Sequence, residues 1–226
     1  MASGLQGTAA EMAGGLSPEA WGAVALSLKV AFWAMTASLP VGIGIALLLA
    51  RGRFPGRQVL NGLVHLPLIL PPVVTGYLLL ITFGRRGPVG GFLHDSLGIT
   101  LAFNWKGAAL AAAIMAFPLM VRAIRLSIEA VDPGLEQAAA TLGAGRLRVF
   151  ATITLPLILP GVIAGAILAF AKAMGEFGAT ITFVSNIPGQ TQTLPSAVYA
   201  FLQVPGAEAQ AAALVAISVV LAMGAL

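Results

Sequence analysis

The chain has 226 residues, 58% of them hydrophobic and only 9% charged, with a mean hydropathy of +0.96. Soluble domains carry about 25% charged residues, so this composition excludes an ordinary soluble protein and points to an integral membrane one. With no cysteine, disulfides, thiolate metal sites and a cysteine nucleophile are excluded. The basic balance, net +4 with a pI near 10.1, does not indicate nucleic acid, because the few Lys and Arg lie mostly at the ends of apolar segments.

Residues 1–20 hold neither Lys nor Arg nor an apolar core, so no signal peptide is expected there. A membrane span needs roughly 20 apolar residues, and five candidates follow in order. The first runs from about Trp21 to Ala50, interrupted by Lys29 and Pro40. A short basic loop comes next, with Arg51, Arg53 and Arg57 and no acid. The second span is about Val59–Phe83 and contains His65, Pro67, Pro71 and Pro72. A polar stretch, Gly84–Lys106, ends at Trp105, where an interfacial anchor belongs. The third span is about Gly107–Ile128, with Arg122 and Arg125 placed to snorkel out of its last turns. The fourth is about Leu155–Phe183, and the fifth runs from about Ala209 to Leu226. The chain ends in SVVLAMGAL without a basic flank, so a further tail is expected.

Between the third and fourth spans lies a polar island, Glu129–Pro156, carrying Glu129, Asp132, Glu136, Arg146 and Arg148. Asp132 is placed to cap a helix that has Pro133 at its first position and Glu136 near its positive end. Gly143 supplies a left-handed stop, and a second short helix is expected from about Arg146 to Thr154, ending before Pro156. Arg51, Arg53, Arg57, Arg122, Arg125, Arg146 and Arg148 all fall on the island's side, against Arg85, Arg86 and Lys106 on the other. The positive-inside rule then puts the island and the C-terminus in the cytoplasm and the N-terminus outside.

Gln137-Ala138-Ala139, then Gly143, then Ile153-x-Leu155-Pro156 resembles the E-A-A-x3-G-x9-I-x-L-P loop of binding-protein-dependent ABC importer permeases. The spacing matches throughout; Gln137 stands at the motif glutamate, with Glu136 just before it. In that family the loop is the coupling helix that docks on a separate ATPase. The resemblance therefore implies a coupling surface made of Glu136, Gln137, Ala138, Ala139, Leu142, Gly143, Arg146 and Pro156. The segments HLPLILPPVVTGYLLL, GRRG, FPLMVRAIRL and GEFGATITFVSNIPG, with the loop, resemble the molybdate ABC transporter permeases; GEFGATITFVSNIPG is what narrows the likeness to molybdate, with sulfate and tungstate permeases as close relatives. It implies an all-α integral membrane protein, a type I ABC importer permease core in one domain over 1–226. Many members have six spans; this chain is expected to keep a five-span core. It further implies a permease homodimer in the lipid bilayer of a bacterial inner membrane. Two cytoplasmic ABC ATPase subunits and a periplasmic molybdate-binding protein complete the implied machine. No cofactor is expected on this chain, ATP-Mg being held by the partner ATPase. No P-loop, H-E-x-x-H or nucleophile elbow occurs, so the protein is not expected to be an enzyme.

Other residues carry alternatives. Pro71, Pro72 and Thr75 lie in the most punctuated span, a gate or pathway element on one reading and a packed kink on the other. Glu176 in a span signals function, yet Lys172 four residues earlier can neutralise it. Thr180, Thr182 and Ser185 offer hydroxyls that can pass an oxyanion by weak hydrogen bonds without trapping it. Arg85 and Arg86 either draw an anion to the outer mouth or meet headgroups and Asp95. His65 reads as a satisfied interior histidine, and Gly161-x-x-x-Gly165 as a close-packing helix face. A secondary anion transporter without an ATPase and a membrane scaffold remain as rival readings. The first would more naturally show repeated halves and a chain of membrane carboxylates; the second would not need the loop's spacing.

Overall fold

The structure is a computed structural model that describes residues 16–225, and every regular element in that range is helical. The expected position of the N-terminus and the end of the fifth span at Leu226 lie outside the described residues.

Helix α1, Pro18–Arg51, starts where the Ser17 hydroxyl accepts from the Ala20 amide at 3.2 Å, and Pro40 sits inside it. Helix α2, Arg57–Ile69, and helix α3, Pro72–Phe83, together occupy the second expected span, but the chain turns by 114° between them. The sequence explains the break. Leu70 and Pro71 each precede a proline, which pushes both out of the helical region, and both are extended, with ψ of 142° and 134°. Helix α2 alone is about 20 Å long, short of the roughly 30 Å hydrocarbon core. The expected single span, kinked at its prolines, is thus a bent pair.

The polar stretch that follows holds helix α4, Pro88–Leu97. Helix α5, Trp105–Glu129, begins at Asn104, whose side chain accepts from the Lys106 amide at 3.1 Å. Helix α6, Pro133–Thr141, and helix α7, Arg146–Val149, form the polar island; a π-helical turn, Phe150–Thr154, then joins α7 directly to helix α8, Leu155–Met174. The expected stop before Pro156 does not occur. Pro156 falls in the first turn of α8, where a missing N–H is tolerated, and the π turn carries the helix through it. The fourth span closes at Met174 rather than near Phe183, because Gly175–Phe177 break the helix before the short α9, Gly178–Val184. Helix α10, Leu194–Phe201, and helix α11, Glu208–Ala225, complete the described chain. Three helical stretches are long and apolar enough to cross a membrane, four crossings if the bent pair is one, and Glu208–Gly224 is a shorter apolar helix. The five-span count is therefore approximate.

Contacts fix the relative directions. Along α1 and α5, Lys29 lies 3.9 Å from the Trp105 ring, Ser38 meets Met120 at 3.9 Å, and Arg51 shares a cavity with Ile128 and Glu129. The two helices therefore run side by side in the same direction. The chain must return from the Arg51 end to the Trp105 end between them, which the α2–α3 pair does. Helix α2 runs against α5: Asn61 meets Arg125 at 3.0 Å, and Val64 and Pro67 line a cavity with Ile114 and Phe117. Helix α8 also opposes α5, with Ser127 at Ile158 and Gly165 at Ile124 and Met120.

Helix α5 is the central post. Ala108, Ala111, Ala112, Ala116, Met120, Ile124 and Ile128 are all buried along it. Small side chains bring backbones close where lipid supplies no hydrophobic drive. The Gly161-x-x-x-Gly165 face is used here, within the protomer: a Cβ on Gly161 would stand 2.2 Å from the Ser127 Cβ. A second cluster ties the start of α1 (Ala20, Ala23, Val24) to Leu194, Ala197 and Leu214, and the Leu194 amide donates to the buried Ser27 hydroxyl at 2.6 Å.

Candidate functional site

At the Arg51 end, α6 stands out from the bundle with no buried residue. The Asp132 carboxylate accepts from the Gly134 amide at 2.8 Å, as its capping position predicts. The helix closes with paired bonds from Gly143 to the Ala140 carbonyl (3.0 Å) and from Ala144 to the Ala139 carbonyl (3.2 Å). That closure requires a left-handed residue, and Gly143 has φ +82°.

Glu136 faces inward. One carboxylate oxygen accepts from Arg51 at 2.6 Å and the other from the Thr154 hydroxyl, which is buried. Burial alone would push the Glu136 carboxyl up; the hydrogen bonds from Thr154 and Arg51, with the Arg51 charge, outweigh it and hold the group below its ordinary value. One side chain thus joins the end of α1, the middle of α6 and the π turn at the head of α8.

The outward face is different. Gln137, Ala138 and Arg146 are exposed, Ala139 is half-buried, and Leu142 is 89% exposed. Leu147, 86% exposed, and Leu135, also exposed, lie on the same loop outside the expected residues. Their signal was available: leucines inside a charged island have no core to enter. Pro156 is exposed at the start of α8 and half a helix turn past Thr154. The expected coupling set therefore divides, with Glu136 holding the loop to the bundle, Ala139 half-buried, and the others presented outward. Arg51 and Thr154, the partners of Glu136, were not singled out by the sequence.

The second group lies deeper. A Cβ on Gly178 would meet Pro72 Cβ at 2.7 Å, and one on Gly76 would meet the Ala179 carbonyl at 2.6 Å. Helices α3 and α9 thus touch through glycines, bringing Pro71, Pro72 and Thr75 to the segment of Glu176, Thr180 and Thr182. Glu176 is buried, takes a hydrogen bond from Lys172 at 2.9 Å, and caps α9 by accepting from the Ala179 amide at 2.9 Å. The structural account of that carboxylate is complete. Thr180 donates to the Phe177 carbonyl at 2.9 Å and Thr182 to that of Gly178 at 2.8 Å. The Thr75 hydroxyl is buried without a partner. Ser185 ends α9 at φ +65°, ψ −166°, a region costly for any residue but glycine. Arg85 and Arg86 are exposed between α3 and α4, apart from this group, and make no ion pair with a described residue, Asp95 included. His65 is half-buried, its Nδ1–H donating to the Asn61 carbonyl at 2.8 Å. No group of His, Cys, Asp or Glu able to hold a metal occurs among the described residues.

Comparison with known proteins gives a consistent picture. The chain is 64% identical over 208 residues to the molybdenum transport system permease protein ModB of Escherichia coli (strain K12), covering 92% of this chain and 91% of that one. It is 58% identical to the protein of the same name from Haemophilus influenzae, over 89% and 88% of the two chains. A sulfate transport system permease protein of Salmonella typhimurium is 36% identical over 91% and 75%. Among solved structures, a bacterial ABC transporter involved in alginate import superposes with a TM-score of 0.72 at 18% identity, covering 92% of this chain and 78% of that one. An amino acid ABC transporter superposes at 0.64 and 21% identity, over 92% and 89%; both show the fold. Residues 38–226 match the family described as binding-protein-dependent transport system inner membrane component, and with that match this all-helical chain belongs to the ABC importer permeases.

Proposed function

We propose that the chain is the membrane permease subunit of an ATP-driven importer that carries molybdate into the cell by alternating access. The observation that carries it is the loop: a capped helix, held to two spans by Glu136, that turns Leu142, Leu147, Gln137 and Arg146 to solvent. Leucines exposed together on a loop outside the bundle fit a surface that meets a partner. Near-full-length identity to molybdenum permeases supports the substrate.

In this reading the Arg51 end faces the cytoplasm, where two ATPase subunits hold ATP-Mg and grip α6. Closure of the ATPases pushes α6, and the Glu136 latch passes the push to α1 and α8 together. A second copy completes the pathway. Helix α3 supports this by leaving Val73, Val74, Tyr77, Leu78 and Ile81 exposed along one side. Pro71, Pro72 and Thr75 then form a gate beside α9, and Arg85 and Arg86 attract the anion at the outer mouth. A periplasmic molybdate-binding protein supplies the affinity, which fits a membrane interior where Glu176 and Lys172 neutralise each other.

The test is ATP hydrolysis by the chain reconstituted in liposomes with its ATPase, after adding capture protein loaded with molybdate or with sulfate. Stimulation by the molybdate form alone is expected. Stimulation by the sulfate form instead would change the substrate, and no stimulation by either in a stable complex would overturn the importer reading.

A further inference from the structure

Between α2 and α5, near the Arg51 end, lies a cavity of about 260 Å³ lined by Asn61, His65, Arg122, Arg125, Leu126 and Glu129. Its charges are unevenly satisfied. Arg125 donates through Nε to Glu129 at 2.8 Å and through Nη1 to the Asn61 side-chain oxygen at 3.0 Å. Arg122 makes no hydrogen bond or ion pair with any described residue, and the Asn61 amide nitrogen donates to none. The cavity therefore offers a free guanidinium and a free amide donor, with one net positive charge once Glu129 is set against the two arginines. Around it the surface is apolar and open: Val59 (66% exposed), Leu63, Leu66 and Leu126 are all turned outward.

We infer that this cavity binds the phosphate of an anionic phospholipid in the inner leaflet, with the acyl chains laid along the exposed leucines of α2 and α5. A guanidinium fork matches two phosphate oxygens, and basic pockets between spans at the cytoplasmic side suit such headgroups. The single net charge matches a phosphodiester monoanion better than a free tetrahedral dianion. A free oxyanion would also leave the apolar rim without an occupant. The inference rests on the proposed cytoplasmic placement of the Arg51 end. The lipid would brace α2 against α5 just below the bend at Leu70–Pro71.

The experiment uses the chain in complex with its ATPase, purified in detergent and mixed with equal amounts of phosphatidylglycerol and phosphatidylcholine. Native mass spectrometry then counts the lipids retained. Preferential retention of phosphatidylglycerol is expected. It should fall about five-fold in Arg122→Gln, rise in Glu129→Gln, and stay unchanged in Lys106→Gln on the opposite end. Equal retention of the two lipids, or indifference to Arg122→Gln in a complex that remains intact, would overturn the assignment. So would displacement of phosphatidylglycerol by millimolar molybdate, which would make the cavity a free-oxyanion site. A single Leu142→Cys, in a chain with no other cysteine, reports sidedness separately. Labelling of that cysteine from outside whole cells would refute the placement, whatever the lipid result.

Discussion

Replacing Glu136 by alanine removes a side chain that ties α6 to both neighbouring spans. Its side chain is 18% exposed and that of Arg51 40%, so the ion pair is partly screened and contributes only about 0.2–1 kcal/mol. The Thr154 contact matters more. Thr154 is 1% exposed, and losing its acceptor strands a buried hydroxyl at a cost of about 1–3 kcal/mol. Together about 1–4 kcal/mol of local stability should disappear. Since about 1.4 kcal/mol is a factor of ten, amide exchange across residues 134–141 should speed up by about ten-fold or more while the middle of α5 stays protected. Thr154→Val combined with Glu136→Ala should cost clearly less than the two changes summed, because they remove one contact. Unchanged exchange in α6, or strict additivity in the double variant, would refute the latch.

The same carboxylate gives a pH dependence. Its folded-state pKa is lowered, so the stability it contributes is present above the unfolded value of about 4.3 and is lost as pH falls through the folded value. Exchange protection of α6, corrected for intrinsic rates, should stay level from neutral pH down through about pH 5 and fall only in more acid solution. An earlier loss would contradict the depressed carboxylate. Gly161→Ala should overpack α8 on Ser127 and cost about 1–3 kcal/mol, seen as a lower melting temperature in detergent and restored by adding Ser127→Gly. Thr75→Val removes a buried hydroxyl that has no partner, so stability should hold or rise by up to about 1 kcal/mol while molybdate uptake falls; unchanged uptake would remove Thr75 from the pathway. Inserting one residue between Gly143 and Ile153 should uncouple uptake from the ATPase, and survival of both would count against coupling through this loop.

Much of this was readable in the chain because it rests on local chemistry. Asp132, Pro133 and Gly143 specify a capped, left-handed-terminated helix whatever surrounds it. The five apolar segments each became helix, since lipid allows little else. What escaped depends on tertiary partners. The partner of Glu136 is Arg51, far off in sequence, and only the side-by-side course of α1 and α5 brings them together. Proline reading worked at Leu70–Pro72, where two successive pre-proline residues force a break, and failed at Pro156, which sits harmlessly in a first turn. Likewise Lys172 and Glu176 met as their spacing foretold, but the capping of α9 by Glu176 required the helix break at Gly175–Phe177.

The π turn at Phe150–Thr154 sets a phase. Each residue of an α-helix advances the side chains by about 100°, and a π turn carries an additional residue without adding a full step of rotation. Everything beyond Thr154 is therefore clocked against that insertion. With it, Thr154 points to Glu136 while Gly161 and Gly165 point to Ser127 and Ile124. Deleting one residue there would leave a smooth α-helix and swing one of the two faces aside, so the Glu136 contact and the glycine seam can both be in register only through this local irregularity.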